Sequence, residues 1–332
     1  MKAIFLGSEK NIRTVYSTSQ TEKLKESAGL CETVFTRKDL AETPQKFADV
    51  AYVFSTWGMP NLSEDEIRTY LPNLRAVFYA AGTVQGFARP FLGCGVRIFS
   101  AWAANAVPVA EYTLSQILLA GKGFYTHSHL MSQGQVSEAR AIREAFPGNY
   151  KQRVGLIGVG MIGSLVANHL QRFDLDVAAF DPFLSEERAK ELGVTLCSLD
   201  ELFATCTVVS NHLANNAETQ GMLQYKHFAS MPHRATFINT GRGAQVVEAD
   251  LAKVLAERPD LTAVLDVTFP EPPEEGHPFY SLPNCFLTPH IAGSLGVETQ
   301  RMAEYMTDEF DHFISNSPCR YEVTSKMLET MA

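Results

Sequence analysis

Nowhere does the sequence hold an unbroken apolar run approaching the ~18 residues of a membrane helix, so no membrane partner is expected. Positive charge is in deficit: 28 Lys and Arg stand against 37 Asp and Glu, a net charge of −9. With no basic stripe, nucleic acid is excluded as the main partner. The six cysteines (Cys31, Cys94, Cys197, Cys206, Cys285, Cys319) are scattered, without a CxxC pair. They read as reduced core thiols of an intracellular protein rather than a disulfide framework. The opening MKAIFLGSEK is too short in apolar residues for a signal peptide and lacks a cleavage site, so a cytoplasmic location is expected. There is no G-x-S-x-G elbow and no Walker-type lysine loop. His127-x-His129 and the other histidines have no Cys or Asp partners at ligand spacing, so no metal is expected. Solenoid repeats and low-complexity linkers are also absent; the Pro-rich run Pro270–Pro278 (PEPPEEGHP) reads as a rigid loop.

What is present is an alternation of apolar strands with helices. At 332 residues two domains are the prior, and 45% hydrophobic residues supply ordinary cores. Strand-like runs occur at Met1–Gly7, Val50–Ser55, Ala76–Ala80 and Val96–Ser100. Ser63 and Glu66 make a capping box at the start of a helix over Ser63–Tyr70. This stretch predicts a small α/β domain with a parallel sheet covered on both faces. Asn105–Gly123 reads as a long helix with Val107, Ala110, Leu114, Ile117 and Leu118 on one face. A polar stretch, Ser132–Tyr150, follows. A second series of strands then runs through Val154–Ile157, Leu175–Phe180, Thr207–Ser210, Thr236–Asn239, Thr262–Leu265 and Cys285–Thr288, and Gly296–Phe313 closes as a helix.

The second series opens on the most informative stretch, Arg153–Gly163 (RVGLIGVGMIG). A strand runs into Gly158-x-Gly160-x-x-Gly163 and a helix from about Met161, and the next strand ends in Asp181. That is the arrangement of a βαβ unit that binds a dinucleotide. Gly158 permits the turn, Gly160 lets backbone approach a pyrophosphate, and Gly163 lets helix pack on strand. The free N–H groups of the helix start, at Met161 and Ile162, receive the phosphates. Asp181 accepts hydrogen bonds from both ribose hydroxyls and repels a 2′-phosphate, which favours NAD over NADP.

Ligands of open α/β sheets bind beyond the carboxyl ends of the strands. After Thr236–Asn239 come Thr240, Gly241, Arg242 and Gly243; after Thr262–Leu265 come Asp266 and Glu271; after Cys285–Thr288 come Pro289 and His290. Singly, each has an ordinary structural reading: a packed histidine, a solvated arginine, a surface carboxylate, a cap. Together they put one cation, two carboxylates and one histidine on the edge that carries the glycine turn. Beside a nicotinamide, His290 suits proton exchange with a carbonyl oxygen, Glu271 favours and orients its imidazolium, and Arg242 grips a carboxylate in two places. Asp266 is placed to accept a hydrogen bond from the nicotinamide amide.

These residues, with the stretches VGLIGVGMIG, INTGRGAQVVEADL (Ile238–Leu251), LDVTFPEPP (Leu265–Pro273), LTPHIAGS (Leu287–Ser294) and VAEYTL (Val109–Leu114), resemble the D-isomer-specific 2-hydroxyacid dehydrogenase family. The resemblance implies a Rossmann-type NAD-binding domain, residues 104–295, inserted into a smaller flavodoxin-like α/β substrate-binding domain made of residues 1–103 and 296–332. It implies Arg242, Glu271 and His290 as the catalytic trio. NAD contacts are expected from Gly158, Gly160, Met161, Ile162, Gly163, Asp181, His212, Thr240, Gly241, Arg242, Asp266 and His290. Substrate contacts are expected from Trp57, Gly58, Ala81, Gly82, Arg242 and His290, and a homodimer is implied. Two stretches depart from the family pattern. Ala80–Gly86 (AAGTVQG) stands where the family commonly has Gly-Val-Gly followed by Asp-Asn. His212-Leu213-Ala214 ends without the family's frequent proline.

The implied activity is NAD-dependent interconversion of a 2-oxo acid and a D-2-hydroxy acid. Thr56–Pro60 and Ala80–Gly86 contain no Lys or Arg, while Trp57 and Met59 add apolar bulk. An unphosphorylated substrate such as glyoxylate, hydroxypyruvate or a larger 2-oxo acid is therefore expected, although Arg89 or a second chain would offer a phosphate a cation. The alternatives are a phosphoglycerate dehydrogenase of the same fold and a non-catalytic NAD(H) sensor resembling the C-terminal binding proteins. Formate oxidation is disfavoured because that branch pairs its histidine with glutamine, where this chain has Glu271.

Overall fold

Strands β1 (Ala3–Leu6), β2 (Leu30–Phe35), β3 (Tyr52–Ser55), β4 (Ala76–Tyr79) and β5 (Arg97–Ser100) pair in parallel in the order β2-β1-β3-β4-β5. That is the flavodoxin-like strand order. The computed structural model describes residues 2–329, which fall into two units: residues up to Asn105 with those from Ser294 onward, and Ala106–Gly293. The first unit buries both faces of its sheet, as a parallel sheet must. One face carries Ile4, Leu6, Val53, Val77 and Ile98. The other carries Phe5, Phe54, Phe78 and Phe99, covered by Met302, Met306 and Phe310 of the helix Glu298–Ile314. Phe54, Phe78 and Phe99 stack across neighbouring strands with centroids 5.2 and 4.9 Å apart. Phe310 meets Phe78 edge-on at 5.4 Å, a favoured geometry for aromatic pairs. The capping box at Ser63 is present: Ser63 Oγ accepts from the Glu66 N–H, and the Glu66 carboxylate accepts from the Ser63 N–H.

The second unit contains β6 (Arg153–Ile157), β7 (Asp176–Phe180), β8 (Thr195–Leu196), β9 (Val208–Asn211), β10 (Thr236–Asn239), β11 (Thr262–Leu265) and β12 (Cys285–Leu287). All are parallel, in the order β8-β7-β6-β9-β10-β11-β12. Relabelled from β6 this reads 3-2-1-4-5-6-7, the Rossmann order with one strand added. The order reverses between β6 and β9, and both strands end at the crevice that the glycine turn enters. Val154, Leu156, Val177 and Ile238 face one helical layer; Ile157, Val209, Phe237 and Leu265 face the other. β13 (Glu322–Val323) returns to the first sheet, antiparallel to β5.

The structure departs from the sequence reading at the edges. β2, β8 and β13 were not expected. β8 and β13 are only two residues long, and β2 keeps just its ends buried, so none shows a strong apolar period. The long helix spans Trp102–Gly121, starting three residues before the expected Asn105. The helix carries Pro108 in its interior, and burial of Ala104, Ala106, Val109 and Ala110 around it supplies the packing that offsets the cost of the proline. Part of the polar stretch Ser132–Tyr150 is helical, over Val136–Ala141.

Candidate active site

Three glycines shape the first half of the site. Gly158 follows β6 with φ +82°, and a Cβ there would lie 2.9 Å from the His212 carbonyl oxygen. Gly163 sits against the Gly158 carbonyl so closely that no side chain fits. Around Gly160 the space is open, with nothing within 4 Å of where a Cβ would stand. The helix Met161–Leu170 begins directly after it, and no side chain caps its N-terminus. A tight turn, a helix start without a side-chain cap and open space in front of it are what a pyrophosphate requires. Asp181, one residue past β7, accepts the Val159 N–H on Oδ2 at 2.7 Å and the Phe183 N–H on Oδ1 at 2.9 Å. A carboxylate has about four lone-pair positions, so two remain for ribose hydroxyls. These residues fit NAD.

The second half of the candidate site is built on the ends of β10, β11 and β12. His290 adopts a left-handed backbone, φ +55°, rare for a residue with a side chain. The turn is fixed by Asp266, which is 2% exposed. Its carbonyl accepts the His290 N–H at 3.0 Å, while its carboxylate accepts the Ile291 and Ala292 N–H groups, each at 2.8 Å, and the Thr288 hydroxyl at 2.6 Å. Tyr112 Oη joins Thr288 Oγ1 at 3.1 Å. Asp266 is thus first a brace for the His290 turn; one lone-pair position is left for the expected contact with a nicotinamide amide.

His290 Nδ1 lies 2.7 Å from Glu271 Oε1. A proton on Nδ1 shared with that carboxylate leaves Nε2 as the ring's working nitrogen. Arg242 stands close enough for Glu271 to act on its charge: burial pushes the guanidinium pKa down and Glu271 pushes it back up. Its Nη1 donates to the Gly241 carbonyl at 2.7 Å. A cavity of about 350 Å³ opens beside it, lined in part by Asn215, Arg242, Thr268 and Glu271. Gly243 packs against the Thr268–Phe269 backbone with no room for a side chain, which holds the Arg242 turn to the loop carrying Glu271. Among the described residues no cluster of His, Cys, Asp or Glu is arranged to hold a metal.

A model of the D-isomer specific 2-hydroxyacid dehydrogenase NAD binding domain matches residues 114–292. The chain belongs to this family. D-3-phosphoglycerate dehydrogenase of Archaeoglobus fulgidus is 28% identical over 235 residues, 71% of this chain and 44% of that protein. The enzyme of the same name from Mycobacterium tuberculosis is 32% identical over 202 residues, 60% of this chain and 37% of that protein. The matches thus span less than half the length of these relatives. The D-mandelate dehydrogenase structure of Rhodotorula graminis has the same fold, with TM-score 0.83, 16% identity and 98% of both chains covered.

The remaining residues expected from the family pattern divide between the two units. His212 and Thr240 flank the glycine turn: His212 Nε2 lies 3.0 Å from Ser210 Oγ, and Nδ1 lies 3.5 Å from Thr240 Oγ1. Burial of the imidazole pushes its pKa down to about 4, so the ring is neutral near pH 7. Gly241 lies beneath, its N–H given to Asn239 Oδ1 at 3.1 Å. Trp57, Gly58, Ala81 and Gly82 belong to the first unit. Trp57 is 39% exposed, and Gly58 takes φ +92°. Thr56 Oγ1 donates to the Ala80 carbonyl at 2.7 Å and ties the two loops together. The Ala81 N–H is committed to the Tyr79 carbonyl, and Ser100 Oγ donates to the Ala81 and Gly82 carbonyls. The Ala81 N–H is therefore engaged within its own loop.

Sequence reasoning missed Asn211, Asn239 and Gln245, all buried beneath Arg242. A signal was available, since an amide as the last residue of an otherwise apolar strand recurs at Asn211 and Asn239. It missed Glu248 as well. That side chain accepts the Phe269 N–H at 2.8 Å, and its other oxygen lies 3.6 Å from His277 Nε2, so the loop carrying Glu271 is held at two points.

Proposed function

We propose that the protein reduces a 2-oxo acid to the D-2-hydroxy acid with NADH, with His290 as the acid, Glu271 as its partner and Arg242 as the carboxylate-binding group. The observation that carries this reading is the 2.7 Å pair of His290 Nδ1 and Glu271 Oε1, built on the same sheet edge as the glycine turn. NADH, when bound, supplies the hydride. His290 Nε2 holds the proton that the carbonyl oxygen needs as it becomes a hydroxyl. Glu271, hydrogen-bonded to Nδ1, keeps the ring oriented until that proton is given. Arg242, partly desolvated, binds a substrate carboxylate more strongly than it would in water. Asp181 favours NADH over NADPH.

The favoured substrates are unphosphorylated, glyoxylate, hydroxypyruvate or a larger 2-oxo acid, because exposed Trp57 beside Met59 gives bulk without positive charge. The six unpaired cysteines suit a reducing compartment, and the proposed location is the cytoplasm. No helix among the described residues is long and apolar enough to cross a membrane. A homodimer is proposed through the second unit, where Phe124, Met131 and Tyr150 are exposed large hydrophobics; a monomer in sedimentation equilibrium at micromolar concentration would remove it.

The test is the initial rate of NADH and NADPH oxidation with glyoxylate, hydroxypyruvate, phosphohydroxypyruvate, pyruvate, phenylpyruvate and branched 2-oxo acids. At least one unphosphorylated acid is expected to turn over, with kcat/KM higher for NADH. Bound NADH with no turnover on any acid would favour the sensor reading instead, and a preference for NADPH would refute the role given to Asp181.

A further inference from the structure

Against the backbone of Arg242 lie three buried amide side chains: Asn211 at the end of β9, Asn239 at the end of β10, and Gln245 in the short turn Gly243–Gln245. They are 0%, 1% and 0% exposed. A buried amide without partners is costly, so their bonds define what they hold. Asn211 Nδ2 donates to Asn239 Oδ1 at 3.0 Å and to Gln245 Oε1 at 2.6 Å, which joins the three into one unit. The outward bonds go to only a few places. Gln245 Oε1 accepts the Arg242 N–H at 3.1 Å, and Asn239 Nδ2 donates to the Arg242 carbonyl at 3.2 Å. Asn211 Oδ1 accepts the Leu213 N–H at 3.3 Å, and Gln245 Nε2 donates to the Leu213 carbonyl at 2.7 Å. Asn239 Oδ1 also takes the Gly241 N–H. Both peptide groups of Arg242 and both of Leu213 are thus gripped by one amide cluster.

We infer that Asn211, Asn239 and Gln245 are positioning residues that fix Arg242 for carboxylate binding and couple it to the His212–Leu213 segment beside the glycine turn. The inference rests on the proposed role of Arg242. Because the three side-chain amides bind backbone on both sides, a shift of the Leu213 segment is transmitted to the Arg242 backbone through the cluster. Loss of about 1 Å in placement costs on the order of 10²-fold in an oriented site, so the cluster matters to affinity as well as to stability.

The test measures oxamate binding to the NADH-bound protein, NADH binding by fluorescence, and hydrogen exchange over residues 239–245. Gln245→Met keeps the volume and removes both amide functions; Asn239→Asp exchanges only the group that donates to the Arg242 carbonyl. Each is expected to raise the oxamate Kd by about 10- to 100-fold, and to speed exchange at the Arg242 amide. Gln245→Met is also expected to weaken NADH through Leu213. In an Arg242→Ala background, Gln245→Met should raise the oxamate Kd no further, because its effect passes through Arg242. An unchanged oxamate Kd in both single variants would overturn the inference, as would an effect of equal size in the Arg242→Ala background. If Arg242→Ala alone leaves oxamate binding intact, the proposed role of Arg242 fails instead. The network then stands or falls on whether NADH affinity and exchange respond to Gln245→Met.

Discussion

His290 sits in a backbone region that L-residues avoid, and it stays there because Asp266 holds the turn through its carbonyl and both carboxylate oxygens. The ring is thereby presented to Glu271 with Nε2 outward. Replacing His290 by Gln keeps a polar side chain of similar reach but removes the proton donor. Turnover should fall by about 10²- to 10⁴-fold while the NADH Kd stays within a few fold, measured by steady-state kinetics and fluorescence titration. Retained turnover would remove His290 as the acid. Glu248 gives a second residue-scale prediction. Its side chain is 11% exposed, and burial pushes its pKa up to about 7, opposed only by the Phe269 N–H. The native state therefore holds a proton that the unfolded chain releases near 4.5. Stability from this group is complete below about pH 4.5 and is lost as pH rises through 7. Glu248→Gln keeps the acceptor for Phe269 and abolishes the slope. The variant should match the parent in unfolding free energy at low pH and exceed it at pH 8, by on the order of 2 kcal/mol. Parallel pH profiles would show that Glu248 is charged in the native state.

At the scale of elements, the turn between β6 and the helix Met161–Leu170 carries the tightest constraint. Gly163 contacts the Gly158 carbonyl, so Gly163→Ala must push the helix off the strand. A loss of at least about 1–3 kcal/mol is expected from overpacking, with NADH affinity reduced more than tenfold, read from denaturant unfolding and fluorescence titration. Unchanged NADH binding would mean that the helix start does not receive the phosphates. This turn was legible in the sequence because three glycines, a preceding apolar strand and Asp181 each demand the same local geometry. β10 and β11 were legible for a related reason: each is a short, fully buried apolar run closed by polar residues. The edge strands β2, β8 and β13 were not, since pairing partners far along the chain, rather than local pattern, make them strands. The strand-end amides Asn211 and Asn239 were visible in the sequence, but their pairing was not: Asn211 lies 28 residues from Asn239 and 34 from Gln245, and the pairing of β9 with β10 brings them together.

For the whole molecule, a sheet of order 2-1-3-4-5 belongs to the unit carrying Trp57 and Gly82, and a sheet of order 3-2-1-4-5-6-7 to the unit carrying the glycine turn, Arg242, Glu271 and His290. The placing of Arg242, Asp266 and His290 at one sheet edge was legible from the strand pattern, because every parallel strand delivers its next residues to the same side. The fit of the substrate loops was not. There the Ala81 N–H is bound to the Tyr79 carbonyl, a pairing set by the loop's three-dimensional course. For the whole chain, the proposed reaction delivers a hydride from NADH and a proton from His290 to one face of a 2-oxo acid. It is tested by chiral analysis of the product formed from NADH and the fastest 2-oxo acid, with the initial rate of His290→Gln as the control. The D-2-hydroxy acid is expected in stoichiometric yield with NADH oxidised, formed about 10²- to 10⁴-fold more slowly by the variant. An L or racemic product, or an equal initial rate from the variant, would contradict it.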